Sequence, residues 1–217
     1  MPEAIVCIFA KPPEPGSVKM RLVPELGPER AAELAEAFLE DTVAMVRTLD
    51  WAECIIAATE AFERSYFKSE EVWLQSEGDL GERLEKVLRL ALKRRQIVLA
   101  IGADTPGLPA VYLESARRAL VTADAVLGPS LDGGFYLIGL KDCPVGLLED
   151  IQWSHSTTLA ATVAKLDQFG MKTVLINPWF DVDGHEDLER LRRQLANDAS
   201  AAPKTAELLL RMSEKKG

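Results

Sequence analysis

Short apolar runs alternate along this chain with longer stretches whose apolar residues recur every three or four positions. The run Ala4-Ile-Val-Cys-Ile-Phe-Ala10 has no polar interruption, which predicts a central strand buried on both faces. A loop rich in Pro and Gly follows from Lys11 to Gly27. From Pro28 to Leu49, Ala31, Leu34, Ala35, Phe38, Val43, Met45, Val46 and Leu49 fall at mostly helical spacing, behind a proline suited to a first helical turn. Strands are predicted over 52–58 and 71–75. Asp79 reads as the N-cap of a helix in which Leu80, Leu84, Val87, Leu88, Ala91 and Leu92 form one stripe. The pattern continues with a strand from Ile97 to Gly102, a helix near 109–121, strands at 124–128 and 134–140, a helix at 157–170, a strand at 172–176, and helices at 185–196 and 203–212. Residues 213–217 are expected to fray.

This alternation indicates a three-layer, Rossmann-like α/β fold with a mostly parallel sheet, and its break around 124–140 calls for at least one antiparallel strand. No internal repeat or low-complexity linker divides the 217 residues, so a single domain over 1–217 is expected.

Composition narrows the function classes. The chain is 47% hydrophobic and 27% charged, with a net charge of −9, which argues against a nucleic acid as the main partner. A nucleotide ligand, which needs only a local cation or a metal, stays open. Cys7, Cys54 and Cys143 show no CxxC or paired spacing and read as small core residues. The first apolar run is too short for a secretory signal, and no stretch approaches the roughly 20 apolar residues of a membrane span, so a cytoplasmic location is expected.

Five segments could carry chemistry. The loop Lys11-Pro-Pro-Glu-Pro-Gly16-Ser-Val-Lys19-Met-Arg21 sets three cations and a glycine directly behind the first strand, where they could wrap a diphosphate; it is neither a Walker A loop nor a GxGxxG turn. The alternative is a solvated, proline-stiffened surface loop. Ile97-Val-Leu-Ala-Ile-Gly-Ala-Asp104-Thr-Pro106 places one carboxylate just past the carboxyl end of a strand, where open α/β sheets hold ligands. In Phe180-Asp181-Val-Asp183-Gly-His185-Glu-Asp187, carboxylates at i and i+2 of an extended segment face the same way. They could hold Mg²⁺ or Mn²⁺ through oxygen ligands, alone or with Asp104, while also capping the helix behind them. Asp132-Gly133-Gly134 reads first as a hairpin turn and second as a place of close ligand approach. The segment Gln75-Ser-Glu-Gly78-Asp-Leu-Gly81 reads as a cap that could double as a ligand loop. His155 and His185 form no metal-spaced pair, and no GxSxG elbow offers a nucleophile.

Six of these pieces in register resemble the bacterial radical-SAM/selenodomain-associated transferases, a former domain of unknown function grouped with glycosyltransferases. They are Lys11-Pro-Pro with Pro15-Gly16 and Lys19-x-Arg21-Leu; Gln75-x-x-Gly78-Asp-Leu-Gly81-x-Arg83; Gly102-x-Asp104-x-Pro106; Gly128-Pro-x-x-Asp132-Gly-Gly-Phe-Tyr-Leu-Ile-Gly139; Trp153-Ser154; and Asp181-Val-Asp183 with Glu186-Asp-Leu. The resemblance spans nearly the whole chain. It implies a GT-A-type nucleotide-diphospho-sugar transferase fold, also similar to that of guanylyltransferases. It further implies that Pro15, Gly16, Lys19 and Arg21 cradle nucleotide phosphates, that Asp104 binds a divalent metal, and that Asp183, in preference to Asp181, completes the site. Lys11, Gln75, Gly78, Gly81, Asp132, Gly133 and Gly134 are the further substrate-binding candidates, with Asp104, Lys19 and Arg21 as the catalytic group. Two departures stand out: Met20 occupies a place where such loops more often carry Thr or Ser, and Ser154-His-Ser-Thr-Thr158 is longer than the expected Trp-Ser-Thr run. Three functions remain open. One is glycosyl transfer from a nucleotide-sugar to a small acceptor; another is nucleotidyl transfer from a triphosphate with release of pyrophosphate; the last is non-catalytic nucleotide binding.

Overall fold

A computed structural model describes residues 2–61, 67 and 70–214; the end of the expected frayed tail, 215–217, lies outside the described residues. The elements in chain order are β1 (Ala4–Ala10), α1 (Val23–Leu26), α2 (Pro28–Arg47), β2 (Ala52–Ala58), β3 (Glu71–Leu74), α3 (Leu80–Leu92), β4 (Ile97–Gly102), α4 (Ala110–Ala119), β5 (Ala125–Pro129), β6 (Phe135–Leu140), α5 (Thr158–Gln168), β7 (Thr173–Leu175), α6 (His185–Asn197) and α7 (Pro203–Glu214), with a 3₁₀ turn at Ala199–Ala201. The apolar runs predicted as strands and the periodic stretches predicted as helices all form. Two elements escaped the sequence reading: α1, a single turn built on Pro24, and the 3₁₀ turn, both too short to show a period.

The strands make one sheet in the order β3-β2-β1-β4-β6-β5-β7. β1 pairs in parallel with β2 and β4, and β2 with β3. β6 runs antiparallel to both neighbours, β4 and β5, and β7 returns parallel to β5. Six strands therefore share one direction, and β6 is the antiparallel strand that the break in alternation required.

The strand period sorts side chains into two cores. Ile5 and Cys7 of β1 join Leu84, Val87 and Leu88 of α3 and Leu166 of α5 on one face. Val6, Ile8 and Ala10 join Leu39, Val43 and Val46 of α2 and Leu113 and Ala116 of α4 on the other. Burying a side chain such as Ile5 or Ile8 contributes roughly 1.5–3 kcal/mol. A third cluster lies beyond the second face, where Leu34 and Phe38 of α2 meet Leu188, Leu191 and Leu195 of α6 and Leu208, Leu209 and Met212 of α7.

Polar devices fix the helix ends. Asp79 accepts from the Glu82 amide at 2.9 Å while Glu82 accepts from the Asp79 amide at 2.8 Å, so the N-cap expected at α3 is part of a capping box. Asp41, buried in α2, accepts from the amides of Lys204 and Thr205 at 3.0 and 2.9 Å and so caps α7 across the sequence. Buried Glu85 likewise accepts from the amides of Gly146 and Leu148.

Candidate functional site

β1, β4, β5 and β7 all end at the same edge of the sheet, so the loops behind them share one rim. The chain moves outward from β1 to β2 and β3, then returns to the other side of β1 as β4. The switch in winding therefore falls between β1 and β4, where ligands sit in open α/β sheets. Lys19 comes from the loop after β1 and Asp104 from the loop after β4, and they meet there: Lys19 Nζ stands 2.5 Å from Asp104 Oδ1.

The loop after β7 closes the site from the other side. It is held to the rim by Trp179 N donating to Pro129 O at 3.0 Å, Tyr136 OH donating to Asn177 O at 2.9 Å, and Val182 N donating to Asp104 O at 2.9 Å. The Val182 side chain is fully buried. Its neighbours Asp181 and Asp183 both line a cleft of about 210 Å³, with Arg21, Leu131, Asp132 and Phe180 among its other walls. The i, i+2 reading of the acidic pair thus holds in space. Gly184 takes the N-cap of α6, with Asp187 accepting its amide at 2.9 Å, so capping and cleft-lining coexist.

Lys19 is the centre of the arrangement. Its side chain is 5% exposed, and its ammonium donates to Val182 O at 2.8 Å and lies 3.4 Å from Asp183 Oδ1. Its backbone adopts φ +47°, the sparsely populated left-handed region. Burial works to lower its pKa, but the charges of Asp104 and Asp183 and their hydrogen bonds outweigh it, so the ammonium is held charged above its usual range. Asp104 and Asp183 are half-exposed, and Arg21, largely exposed, lies 3.9 Å from Asp183 Oδ2. Asp181 is pushed up to about 6, first by burial and then by the charges of Asp132, Asp183 and Asp104.

Six of the candidate residues thus come together: Lys19, Arg21, Asp104, Asp132, Asp181 and Asp183. The others take different places. Lys11, Pro15 and Gly16 are exposed along the first loop and do not line the cleft. Gln75 is tied by Nε2 to Ala57 O at 2.6 Å and receives Arg83 Nη1 at 3.2 Å. Gly78 has φ +111°, a turn requirement. Gly81 is buried: a Cβ there would stand 2.4 Å from Leu148 O and 2.9 Å from Trp153 Nε1, so packing alone accounts for glycine.

The hairpin reading of Asp132-Gly-Gly holds, since it joins β5 to β6; Asp132 accepts from Ser130 Oγ and, at 2.9 Å, from the Gly134 amide. The room left by Gly133 (φ +93°) is taken by the chain itself, because a Cβ would lie 2.2 Å from Ser156 O. This also gives the Ser154–Thr158 segment a role: it packs on the Gly133 turn, with Thr158 Oγ1 2.7 Å from the carbonyls of Gln152 and His155.

Sequence reasoning missed Arg190, which lines the cleft from α6 with its guanidinium 4.6 Å from the Phe180 ring centroid. It also missed Glu25, His185 and Glu189, whose ligand atoms lie within 4.8 Å of one another and whose two glutamates pair with Arg192. Only their proximity in the fold reveals either group.

This fold is that of the nucleotide-diphospho-sugar transferases. Residues 42–155 match the family of uncharacterized proteins conserved in bacteria (DUF2064), and the chain belongs to that family. It is similar over 99% of its length, and 96% of the other chain, to a crystal structure from Desulfovibrio desulfuricans G20 provisionally named a nucleotide-diphospho-sugar transferase, with 29% identity and a TM-score of 0.89. Two further likenesses are of fold alone. One is to the 4-diphosphocytidyl-2C-methyl-D-erythritol synthase of Anaerococcus prevotii, at 13% identity over 90% of this chain and 96% of that one, TM-score 0.63. The other is to glucosyl-3-phosphoglycerate synthase from Mycobacterium tuberculosis in complex with Mn²⁺, UDP and glucosyl-3-phosphoglycerate, at 13% identity over 97% and 80%, TM-score 0.55. Among proteins of curated function, none matches the sequence. No helix among the described residues is long and apolar enough to cross a membrane.

Proposed function

We propose that the chain is a divalent-cation-assisted glycosyltransferase that binds a nucleotide-diphospho-sugar at the β1/β4 end of the sheet and transfers the sugar to a small-molecule acceptor. It acts as a single domain over residues 1–217, in the cytoplasm, and the narrower likeness to radical-SAM/selenodomain-associated transferases belongs to the same reading. The observation that carries it is the convergence of three distant loops on one cation position, with the Lys19 ammonium between Asp104 and Asp183.

Charge supports a metal there. Asp132, Asp181 and Asp183 line the cleft with Arg21, and Asp104 meets Lys19 beside Asp183, so a diphosphate, itself anionic, needs a further cation to be accepted. The donor set is all oxygen, which suits Mg²⁺ or Mn²⁺, and Asp104 and Asp183 would hold the ion. When bound, the ion neutralises the diphosphate and stabilises it as a leaving group. Arg21, at the mouth of the cleft, meets the outer phosphate oxygens as a bidentate donor. Lys19 holds the two carboxylates together until the ion takes its place between them, and then adds positive charge where the nucleoside diphosphate departs. The Asp132 turn offers the contact to sugar or acceptor. The glucosyl-3-phosphoglycerate synthase named above, with Mn²⁺ and UDP, is an example of this fold holding such ligands.

A second reading, nucleotidyl transfer, is favoured by the Lys19-x-Arg21 loop, which resembles that of guanylyltransferases; the same cations would then face the α-phosphate and the departing pyrophosphate.

A thermal-shift panel of UDP-, GDP-, ADP- and CDP-sugars and the four nucleoside triphosphates, each with Mn²⁺, Mg²⁺ or EDTA, tests the proposal. A ligand at about 100 times its Kd adds roughly 2.7 kcal/mol of stability. The expected result is a metal-dependent shift with a diphosphate-sugar; preference for a triphosphate, with pyrophosphate released on turnover, selects the second reading. Binding without turnover would make the chain a nucleotide-binding module, and no shift with any ligand would contradict both transfer readings.

A further inference from the structure

The cleft opens past Arg190 into a wider concavity of about 570 Å³ along α6, and the two share Asp187 and Arg190. We propose that this face of α6 binds the anionic group, a carboxylate or a phosphate, of the acceptor substrate, with Arg190 and Arg193 as its cationic contacts. The inference rests on the transferase reading, because it gives the acceptor its chemistry.

Three observations support it. First, the arginines of α6 divide in use. Arg192 pairs with Glu25 and Glu189, whereas neither Arg190 nor Arg193 pairs with a carboxylate among the described residues. Arg193 Nε donates to the Glu189 carbonyl at 3.3 Å and Arg190 lies over the Phe180 ring, so neither guanidinium has its charge met by a carboxylate, and like charges at i and i+3 of one helix face repel at a cost. An anion held between them removes that cost. Second, Arg190 is held in place by the protein itself. Its guanidinium stacks on the buried Phe180 ring at 4.6 Å, which limits its freedom and leaves its edge donors for a planar or tetrahedral anion. Third, the polar surroundings fit. Gln194 and Asn197 line the same concavity. Of the two acidic residues there, Asp187 is engaged in capping α6, and Glu186, four residues before Arg190 and seven before Arg193, forms no ion pair with either arginine among the described residues. An acceptor gripped by its anionic end at Arg190 and Arg193 extends its other end past Asp187 into the cleft that holds Asp132 and Asp183.

Side-chain Nε–Hε spectra of the full chain, titrated with inorganic phosphate, acetate or chloride at constant ionic strength, test the proposal. Arg190 and Arg193 signals, assigned through Arg190→Gln and Arg193→Gln, are expected to move saturably with phosphate or acetate and not with chloride. Stronger phosphate binding marks a phosphate-bearing acceptor and stronger acetate binding a carboxylate-bearing one. Arg193→Gln, at an exposed position that folding tolerates, is expected to weaken binding about tenfold, Arg193→Lys less, and Arg192→Gln not at all. Equal response to chloride, no saturation, or affinity unchanged in Arg193→Gln would overturn the inference. The nucleotide panel above is read separately: anion binding on α6 without nucleotide binding would sink the transferase reading, and nucleotide binding without anion binding would sink only this one.

Discussion

Two groups of carboxylates in this molecule use the same chemistry to opposite ends. Asp41 and Glu85 are buried, and each is satisfied by two backbone amides, one at the start of α7 and the other in the loop before α5. Their oxygens are spent on the fold. Asp104 and Asp183 are 55% and 47% exposed, and they share one buried lysine ammonium. A carboxylate buried on backbone amides is closed to a ligand, whereas an exposed one neutralised by a side chain can exchange that partner for another cation. Under the proposed function, exchangeability, more than burial or sequence context, separates the structural acids from those assigned to the cation site.

The comparison breaks most sharply at Asp41. Asp41→Ala leaves the buried Thr205 amide and the part-buried Lys204 amide without an acceptor and is expected to destabilise the protein by roughly 3 kcal/mol in denaturant unfolding. Nucleotide binding by the molecules that remain folded should be unchanged. Gly133→Ala comes next: the new Cβ meets Ser156 O at a positive φ, and a loss of about 2 kcal/mol is expected, read as a lower urea midpoint.

Lys19→Met tests exchange directly. With the ammonium gone, Asp104 and Asp183 are expected to bind Mg²⁺ alone about tenfold more tightly by calorimetry, while nucleotide-sugar affinity falls; unchanged metal affinity would mean that Lys19 does not hold the cation position.

The smallest effect concerns a third kind of acid. Glu114 is held down to about 2, first by the hydrogen bond from Arg117 and then by that from Arg118. Because its folded pKa is lowered, its contribution to stability is complete above the unfolded value of about 4.3 and fades as pH falls toward 2. Tm measured from pH 6 to pH 2 should therefore decline less steeply in Glu114→Gln than in the wild type.

Much of the fold was legible because the strands are nearly pure apolar runs and the helices keep strict stripes. Asp104, Lys19 and the Asp181–Asp183 pair could be picked out as candidates, since each follows a strand. Their meeting could not be read from the sequence. It depends on β4 returning beside β1 and on the Val182 amide reaching the Asp104 carbonyl, contacts between segments some 80 residues apart or more. Nor could sequence show that Lys19 faces carboxylates, that Ser156 fills the space beside Gly133, or that Trp153 requires glycine at 81. Arg190 carries no motif signal because its place in the cleft is set by the Phe180 ring beneath it.

The central claim is that Asp104 and Asp183 form a cation site that Lys19 occupies until a metal takes its place. Mn²⁺ titration followed by electron paramagnetic resonance, in which bound ion loses the sharp six-line signal of free Mn²⁺, tests it most directly in the wild type, Asp104→Asn, Asp183→Asn and His185→Ala. One strong Mn²⁺ site is expected in the wild type and in His185→Ala, tightened by nucleoside diphosphate and absent from both Asp variants. Equal Mn²⁺ binding in all four proteins, or a site lost only in His185→Ala, would contradict the account.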